Sequence, residues 1–157
     1  MATITFLLTI GATALNGIAA GATLDQAIKQ LPARHKIGLV AYSNYSKAAD
    51  LGNGILWYVS LGISAVVLTL AAAIAALLQQ ITIESALPIY IAALLSLSHS
   101  IVTSQAAPMM FSQRQHAGDE VSLKAIFNRF ERLNALRAIF QVLTFISLLW
   151  AVVIYIR

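Results

Sequence analysis

Long apolar stretches dominate the pattern of hydrophobic and polar positions along the chain. Four of them, 3–23, 55–78, 86–107 and 135–156, are each long enough to cross about 30 Å of hydrocarbon at about 1.5 Å per residue. None shows the strict alternation of a membrane β-strand, so all four are predicted to be helices. The pattern therefore predicts an all-α polytopic membrane protein whose single domain, 1–157, is a bundle of four transmembrane helices.

The two long connections between these spans carry helical patterns of their own. In 34–49, apolar residues recur at helical spacing among basic and polar ones, which predicts an amphipathic helix at the membrane interface or continuous with the second span. The glycines of Gly52-Asn53-Gly54 predict a kink or break before that span. Asp119 or Ser122 is expected to cap a helix that extends the last span.

Local signals refine two of the spans. The first span contains Gly17 and Gly21 one turn apart, a spacing that allows another helix to approach closely. No basic residue precedes this span, so we expect a retained helix and not a signal peptide. Ser85, with Pro88 in the first turn, predicts the start of the third helix, and Pro108 predicts its end or a kink.

Composition supports lipid as the solvent of this chain. Hydrophobic residues make up 59% of it and charged residues 10%, whereas soluble domains carry about 25% charged residues. The sequence has no cysteine, which excludes disulfides, iron–sulfur clusters and cysteine-ligated zinc. The net charge of +4 comes from basic residues near the ends of the spans, so it indicates contact with membrane lipid and no nucleic-acid partner.

The basic residues also predict orientation. Nine of them lie in the first and third connections or at the adjoining ends of the spans: Lys29, Arg34, Lys36, Lys47, Arg114, Lys124, Arg129, Arg132 and Arg137. Only Arg157 falls on the opposite side. Because cytoplasmic loops carry the excess of lysine and arginine, both long connections are expected in the cytoplasm and both termini outside it. The expected location is the cell (inner) membrane.

Polar residues inside the spans are the candidates for function. The third span carries a helical stripe of four: Ser96, His99, Ser100 and Thr103. The last helix aligns three more: Asn134, Arg137 and Gln141. Asn16 lies deep in the first span, and the entrance of the second holds Asp50, Asn53 and Trp57. In the predicted topology all of them fall in the cytoplasmic half, which predicts a shared polar pocket.

Each candidate also has a purely structural interpretation. Serine and threonine in membrane helices often hydrogen-bond their own backbone, and Asn16 and Asn53 are suited to bonds between helices. Arg137 lies one turn inside its span, so it either reaches the headgroups or pairs with Asp50, the only acid at the entrance of the second span. No cofactor or metal is predicted, because His99 has no acid or histidine one turn away.

Two segments resemble a known family. Gly17 and Gly21 followed by Leu31-Pro32-Ala33, together with the run 129–137 that opens the last helix, resemble the anthrone-oxygenase-like family of small four-helix membrane proteins, many of which are known only as a domain of unknown function. Asn134 and Arg137 match the family's polar pair, while Phe130 stands where members often have tryptophan. The resemblance implies a four-helix bundle and, for some members, cofactor-free oxidation of polycyclic phenolic anthrones to quinones.

Two functions are therefore compatible with the sequence. In the first, the protein binds a lipid, a quinone or another hydrophobic small molecule, or supports a partner such as a second copy of itself. In the second, it is an anthrone-oxygenase-like enzyme in which His99 is the base, since imidazole titrates near neutral pH, and Arg137 with Asn134 or Asn53 stabilises the enolate oxygen. Ser100 or Gln141 would orient the flat substrate.

Overall fold

The computed structural model describes residues 2–156, and this part of the chain is helical with no strand. The α-helices are α1 Ala2–Asp25, α2 Arg34–Ile37, α3 Leu39–Ala48, α4 Gly54–Leu78, α5 Ile83–Ser112 and α6 Glu120–Ile156. Short π-helical and 3-10 turns, Gln26–Gln30, Leu31–Ala33 and Ala49–Asn53, connect α1 to α2 and α3 to α4. Four helical segments are long and apolar enough to span a membrane, which confirms the predicted fold class and an integral membrane protein.

The four long helices form an up-and-down bundle in chain order. Both α1 and α5 pack against α4 and α6, so each long helix has two antiparallel neighbours. In α1 and the turn after it, buried positions recur at alternating steps of three and four residues: Thr5, Thr9, Ala12, Asn16, Ala19, Thr23 and Gln26, with Ala20 buried beside Ala19. This spacing averages about 3.5 residues, the period at which antiparallel helices keep one seam facing each other.

The interior of the membrane-spanning part is built from small and polar side chains. Alanines such as Ala12, Ala65 and Ala92 are buried, while leucines such as Leu56 and Leu78 point outward. Lipid is as apolar as leucine, so membrane helices associate through close backbone packing and hydrogen bonds. Gly17 follows this rule, since a Cβ there would lie 3.0 Å from Cε2 of Phe145 on α6.

One end of the bundle has a larger apolar core. We call it the basic end, because it carries the two connections 26–53 and 113–119, at which the lysines and arginines cluster. Here α6, 37 residues long, extends beyond the length a bilayer requires and packs Phe127 edge-on against Tyr42 of α3, with ring centroids 5.0 Å apart. The buried guanidinium of Arg34 donates to Glu131 of α6 at 2.7 Å. These contacts fix the first connection onto the extended part of α6.

The connection 34–49 is not the single helix that its pattern predicts. Gly38 has a φ of +88°, a conformation that side-chain-bearing residues rarely adopt, and it separates α2 from α3. Tyr42 and Ser46 form the buried face of α3, whereas Ile37 and Tyr45 are exposed. The exposed apolar side chains of this connection therefore lie on the outer surface of the protein, next to the start of the second span.

The predicted break before the second span is confirmed. Gly52 has non-helical dihedral angles, φ −95° and ψ −110°, within the π-helical turn. At Gly54 a Cβ would lie 2.6 Å from the carbonyl oxygen of Ala49, so no larger residue fits there without a shift of the backbone. The tight turn directs Asp50 toward the bundle, where it is buried.

Helix caps differ from the prediction in one place and agree in another. The third helix begins after Thr82 and not at Ser85, and it continues through Pro108 to its end at Ser112. At the start of α6, Asp119 accepts hydrogen bonds from the backbone N–H groups of Val121 and Ser122, as predicted for a cap. Hydrogen bonds from Ser122 lower the pKa of Asp119 below its usual range.

Candidate functional site

A cavity of about 540 Å³ lies between α4 and α5 in the half of the bundle next to the basic end. Its walls are mostly apolar, and α6 and the π-helical turn before α4 close its inner side. Val59, Ile63 and Val67 of α4 line it while 51%, 60% and 56% exposed, so the cavity opens on the outer surface of the bundle. Within a membrane, that surface faces lipid.

Gly62 accounts for part of the width of this cavity. It lies on α4 among the lining residues, and a Cβ built there meets no atom within 4 Å. A side chain at this position would therefore project into open space and not into packed protein. The absence of one leaves a slot between α4 and α5.

His99 is the buried titratable group on the α5 wall of the cavity. The side chain is 8% exposed, and its Nε2 atom has no hydrogen-bond partner among the described residues. An unpaired polar atom in apolar surroundings costs about 1–3 kcal/mol, so a ligand that supplies the missing partner would recover that free energy. His99 thus lies in the bundle interior and lines the cavity, as the stripe predicts.

Arg137 of α6 forms the positive end of the cavity. Its Nε donates to Oγ1 of Thr103 at 3.1 Å, and its Nη1 donates to Oδ1 of Asn134 at 3.4 Å. Nη2 makes no hydrogen bond to any residue that the structure describes. The guanidinium is held in place by two neutral side chains from two helices and has one nitrogen free to donate to a ligand.

The predicted ion pair between Asp50 and Arg137 does not form. Among the described residues the ion pairs are Lys29–Asp25 and Arg34–Glu131. Asp50 lines the same cavity as Arg137, but its Oδ2 accepts a hydrogen bond from Ser46 at 2.9 Å. The π-helical turn carries Asp50 on the basic-end side, where its neighbours are the polar residues of α3, and this placement keeps the two charges apart.

A hydrogen-bonded chain supports Asp50 from behind. Ser43 donates to Oε1 of Gln113 at 3.1 Å, and Nε2 of Gln113 donates to Ser46 at 3.3 Å. Ser46 in turn donates to Asp50, so the chain ends on the carboxylate. All four side chains are buried, which fixes the orientation of the carboxylate at the cavity wall.

The polar residues predicted to share one pocket separate into two groups. Asp50, His99, Ser100, Thr103 and Arg137 line the cavity. Asn16 and Gln141 do not line it, because they face the centre of the bundle and bond each other. Nε2 of Gln141 donates to Oδ1 of Asn16 at 2.7 Å, and Nδ2 of Asn16 donates to Thr69 at 3.0 Å. This central cluster joins α6, α1 and α4.

The remaining candidates lie outside the cavity for identifiable reasons. The π-helical turn rotates Asn53 and Trp57 outward, and both are exposed. Ser96 is buried one turn before Ser100 on α5, and its backbone carbonyl accepts a hydrogen bond from Ser100. Asn134 is fully buried behind Arg137, and its Nδ2 has no hydrogen-bond partner among the described residues. Asn134 therefore positions Arg137 and does not contact the cavity.

Sequence reasoning missed several residues that the structure brings to these groups, including Thr23 and Gln26 of the cavity lining. Tyr58 lines the cavity one turn before Gly62, and the spacing of the two on α4 could have indicated a shared face. Thr69 joins the central cluster, but nothing in its sequence neighbourhood distinguishes it from other threonines. Gln113 comes from the polar segment after α5, and its partner lies 67 residues away.

Comparison with protein-family models, with curated proteins and with solved structures finds no match for the chain. Among the described residues, no group of three or more histidine, aspartate or glutamate side chains could hold a metal ion. The chemistry available in the cavity is therefore that of its own side chains.

Proposed function

We propose that this integral membrane protein binds a hydrophobic small molecule, such as a lipid, a quinone or a polycyclic phenol, in the cavity between α4 and α5. The observation that carries the proposal is an apolar cavity of about 540 Å³ with His99, Arg137 and Asp50 at its inner wall. Small-molecule sites commonly have about 300–1,000 Å³ and a few polar groups that orient the ligand. The ligand enters from lipid through the gap between the two helices.

The orientation in the membrane is part of this proposal. The basic end, with its lysines and arginines, lies in the cytoplasm, and both termini lie outside it. The cavity then sits in the cytoplasmic half of the cell (inner) membrane. The polar wall of the cavity lies near the headgroup level. A ligand with one polar end places that end against this wall, while its apolar part stays in hydrocarbon.

Blocking the slot at Gly62 tests ligand binding. Gly62→Leu fills open space in the cavity, and Gly21→Leu is the matched control, because Gly21 also has nothing within 4 Å of its Cβ but does not line the cavity. The measurement is saturable retention of dihydroxyanthraquinone and of a short-chain quinone by protein in nanodiscs, relative to empty nanodiscs. We expect retention by the wild type and Gly21→Leu but not by Gly62→Leu. Equal retention by all three samples would reject the cavity as the site.

A second candidate function, the anthrone-oxygenase-like activity, is favoured by the unpartnered Nε2 of His99. In that chemistry Nε2 takes a proton from the methylene carbon of an anthrone, and Nη2 of Arg137 stabilises the enolate oxygen. The carbanion and oxygen form a carbon-bound hydroperoxide, with the proton returned to the peroxide. Loss of water then leaves a second carbonyl, so anthrone and O₂ become anthraquinone and H₂O. Oxygen is reduced, the carbon is oxidised, and no cofactor is consumed.

Oxygen consumption separates the enzyme from the binding protein. If the protein is an oxygenase, a hydroxylated anthrone should give oxygen uptake above the rate in empty nanodiscs. Quinone, measured by its absorbance, should form in an amount equal to the oxygen consumed. His99→Ala should abolish this excess, whereas Gly21→Leu, which lies outside the cavity, should keep it. Absence of any excess in the wild type, together with normal retention, would leave the binding function and reject the oxygenase.

A further inference from the structure

Arg137 is a cation inside the span that forms no ion pair with any residue the structure describes. The two ion pairs of the described chain involve other residues, and the hydrogen bonds of the guanidinium go to the uncharged Thr103 and Asn134. A charge in low-dielectric surroundings is costly unless it is paired, and residues that stay charged in such places usually meet a partner. The free Nη2 atom and the cavity beside it show where a partner can bind.

We propose that the ligand of the cavity is an amphiphilic carboxylate whose acid group binds Arg137 and whose apolar chain occupies the slot at Gly62. This inference rests on the proposed binding function and names the ligand's chemical class. A guanidinium presents planar N–H donors that match the two oxygens of a carboxylate, and such charge-assisted bonds are about twice as strong as neutral ones. Thr103 and Asn134 hold the plane in position before the ligand arrives.

The geometry of the cavity matches the two parts of such a molecule. The carboxylate lies at the α6 wall, while the chain runs along apolar α4 residues toward the opening at Val59 and Ile63. The lipid-facing opening lets a long chain extend beyond the cavity, so chain length is weakly selected. Selectivity comes from the charged end.

The negative charge of Asp50 weakens binding of this ligand, so a variant without that charge gives a second test of the proposal. Its carboxylate lines the same cavity and repels an anionic headgroup, and Ser46 donates only one hydrogen bond to it. Asp50→Asn removes the negative charge at nearly constant size. Binding of a carboxylate should then become tighter, whereas binding of an uncharged ligand should not change.

Competition against tritiated palmitate tests the ligand class. The protein is placed in phosphatidylcholine nanodiscs at an alkaline pH at which the acid is ionised, and unlabelled palmitate, its methyl ester and hexadecanol compete. A hydrogen bond to a charged group contributes about 1.5–3 kcal/mol, so the ester and the alcohol should compete about tenfold or more weakly than the acid. Arg137→Gln should remove this preference and Arg137→Lys should keep part of it. An ester that competes as well as the acid, or a preference that survives in Arg137→Gln, overturns the inference.

The variants separate failure of the ligand class from failure of the cavity. If acid and ester bind equally well and Gly62→Leu abolishes both, the proposed function holds and the carboxylate inference is rejected. If Gly62→Leu leaves all binding unchanged, the cavity itself is rejected. Phosphatidylglycerol that displaces palmitate as effectively as unlabelled palmitate would identify a lipid phosphate as the group at Arg137, which also overturns the carboxylate. Hexadecanol binding retained by Arg137→Gln shows that this variant is folded.

Discussion

The hydrogen bond between Gln141 and Asn16 should hold α6 to α1, and replacing it should lower stability measurably. Gln141→Met removes the donor at nearly constant volume and leaves Oδ1 of Asn16 without it. Asn16 is 1% exposed and Gln141 4%, so water cannot take over the lost bond at either side chain. Nδ2 of Asn16 keeps its own bonds to Ala12 and Thr69 in the variant.

The expected magnitude follows from the geometry and the burial. Hydrogen bonds between membrane helices contribute about 0.6 kcal/mol on average and at most about 1.7 kcal/mol. A buried acceptor left unpaired costs about 1–3 kcal/mol. At 2.7 Å the bond between Gln141 and Asn16 is short, so we expect Gln141→Met to lower the free energy of unfolding by about 1–2 kcal/mol.

A double-mutant cycle isolates this interaction from the other effects of each substitution. Gln141→Met, Asn16→Leu and the double variant are unfolded by titrating dodecyl sulfate into mixed micelles, with helicity as the readout. The coupling free energy should be about 1 kcal/mol. Thr144→Val is the control on the same face of α6, since Thr144 donates to its own backbone at Phe140, and it should cost clearly less. Coupling within about 0.3 kcal/mol of zero would show that the bond does not stabilise the bundle.

Three further changes have expected outcomes. Gly17→Leu should destabilise the bundle by about 1–3 kcal/mol, because a Cβ at this position would lie 3.0 Å from a ring on α6. Gly21→Leu should not destabilise it, and equal melting of the two variants would contradict the close approach at Gly17. Glu131→Gln leaves the buried Arg34 without its carboxylate and should cost about 1–2 kcal/mol in unfolding titrations, less than a fully buried pair because Glu131 is 44% exposed. A reporter fused after the last span should be active only outside the cytoplasm, and cytoplasmic activity would reverse the proposed orientation.

The helical spans could be predicted because each is a local property of the chain. The second stretch, 55–78, and the observed α4, Gly54–Leu78, differ by one residue, since a run of apolar residues bounded by glycine and polar residues has no other solution in lipid. The first and third helices extend a few residues past their predicted ends, because helical structure continues beyond the apolar run in each. The helix break at Gly38 was missed because the apolar pattern continues across it, and only a positive φ reveals it.

The candidate site was only partly predictable from the sequence. The stripe on α5 placed His99 and Thr103 correctly on the inner face, because helical periodicity determines which residues share a face. The expected pair between Asp50 and Arg137 was wrong, since the π-helical turn before α4 changes the direction in which Asp50 points. Spacing along one helix cannot supply such a rotation between two helices.

By itself, the sequence determined that the protein is embedded in a membrane, has four helical spans and carries its basic residues at one end of the bundle. Each of these follows from hydropathy and charge along the chain, which act before any helix meets another. Only the tertiary structure decided that Gln141 bonds Asn16 across 125 positions, that Arg137 forms no ion pair with any residue the structure describes, and that α4 and α5 leave a cavity between them. Those features depend on how small residues let the helices approach and rotate, and that is settled by packing in three dimensions.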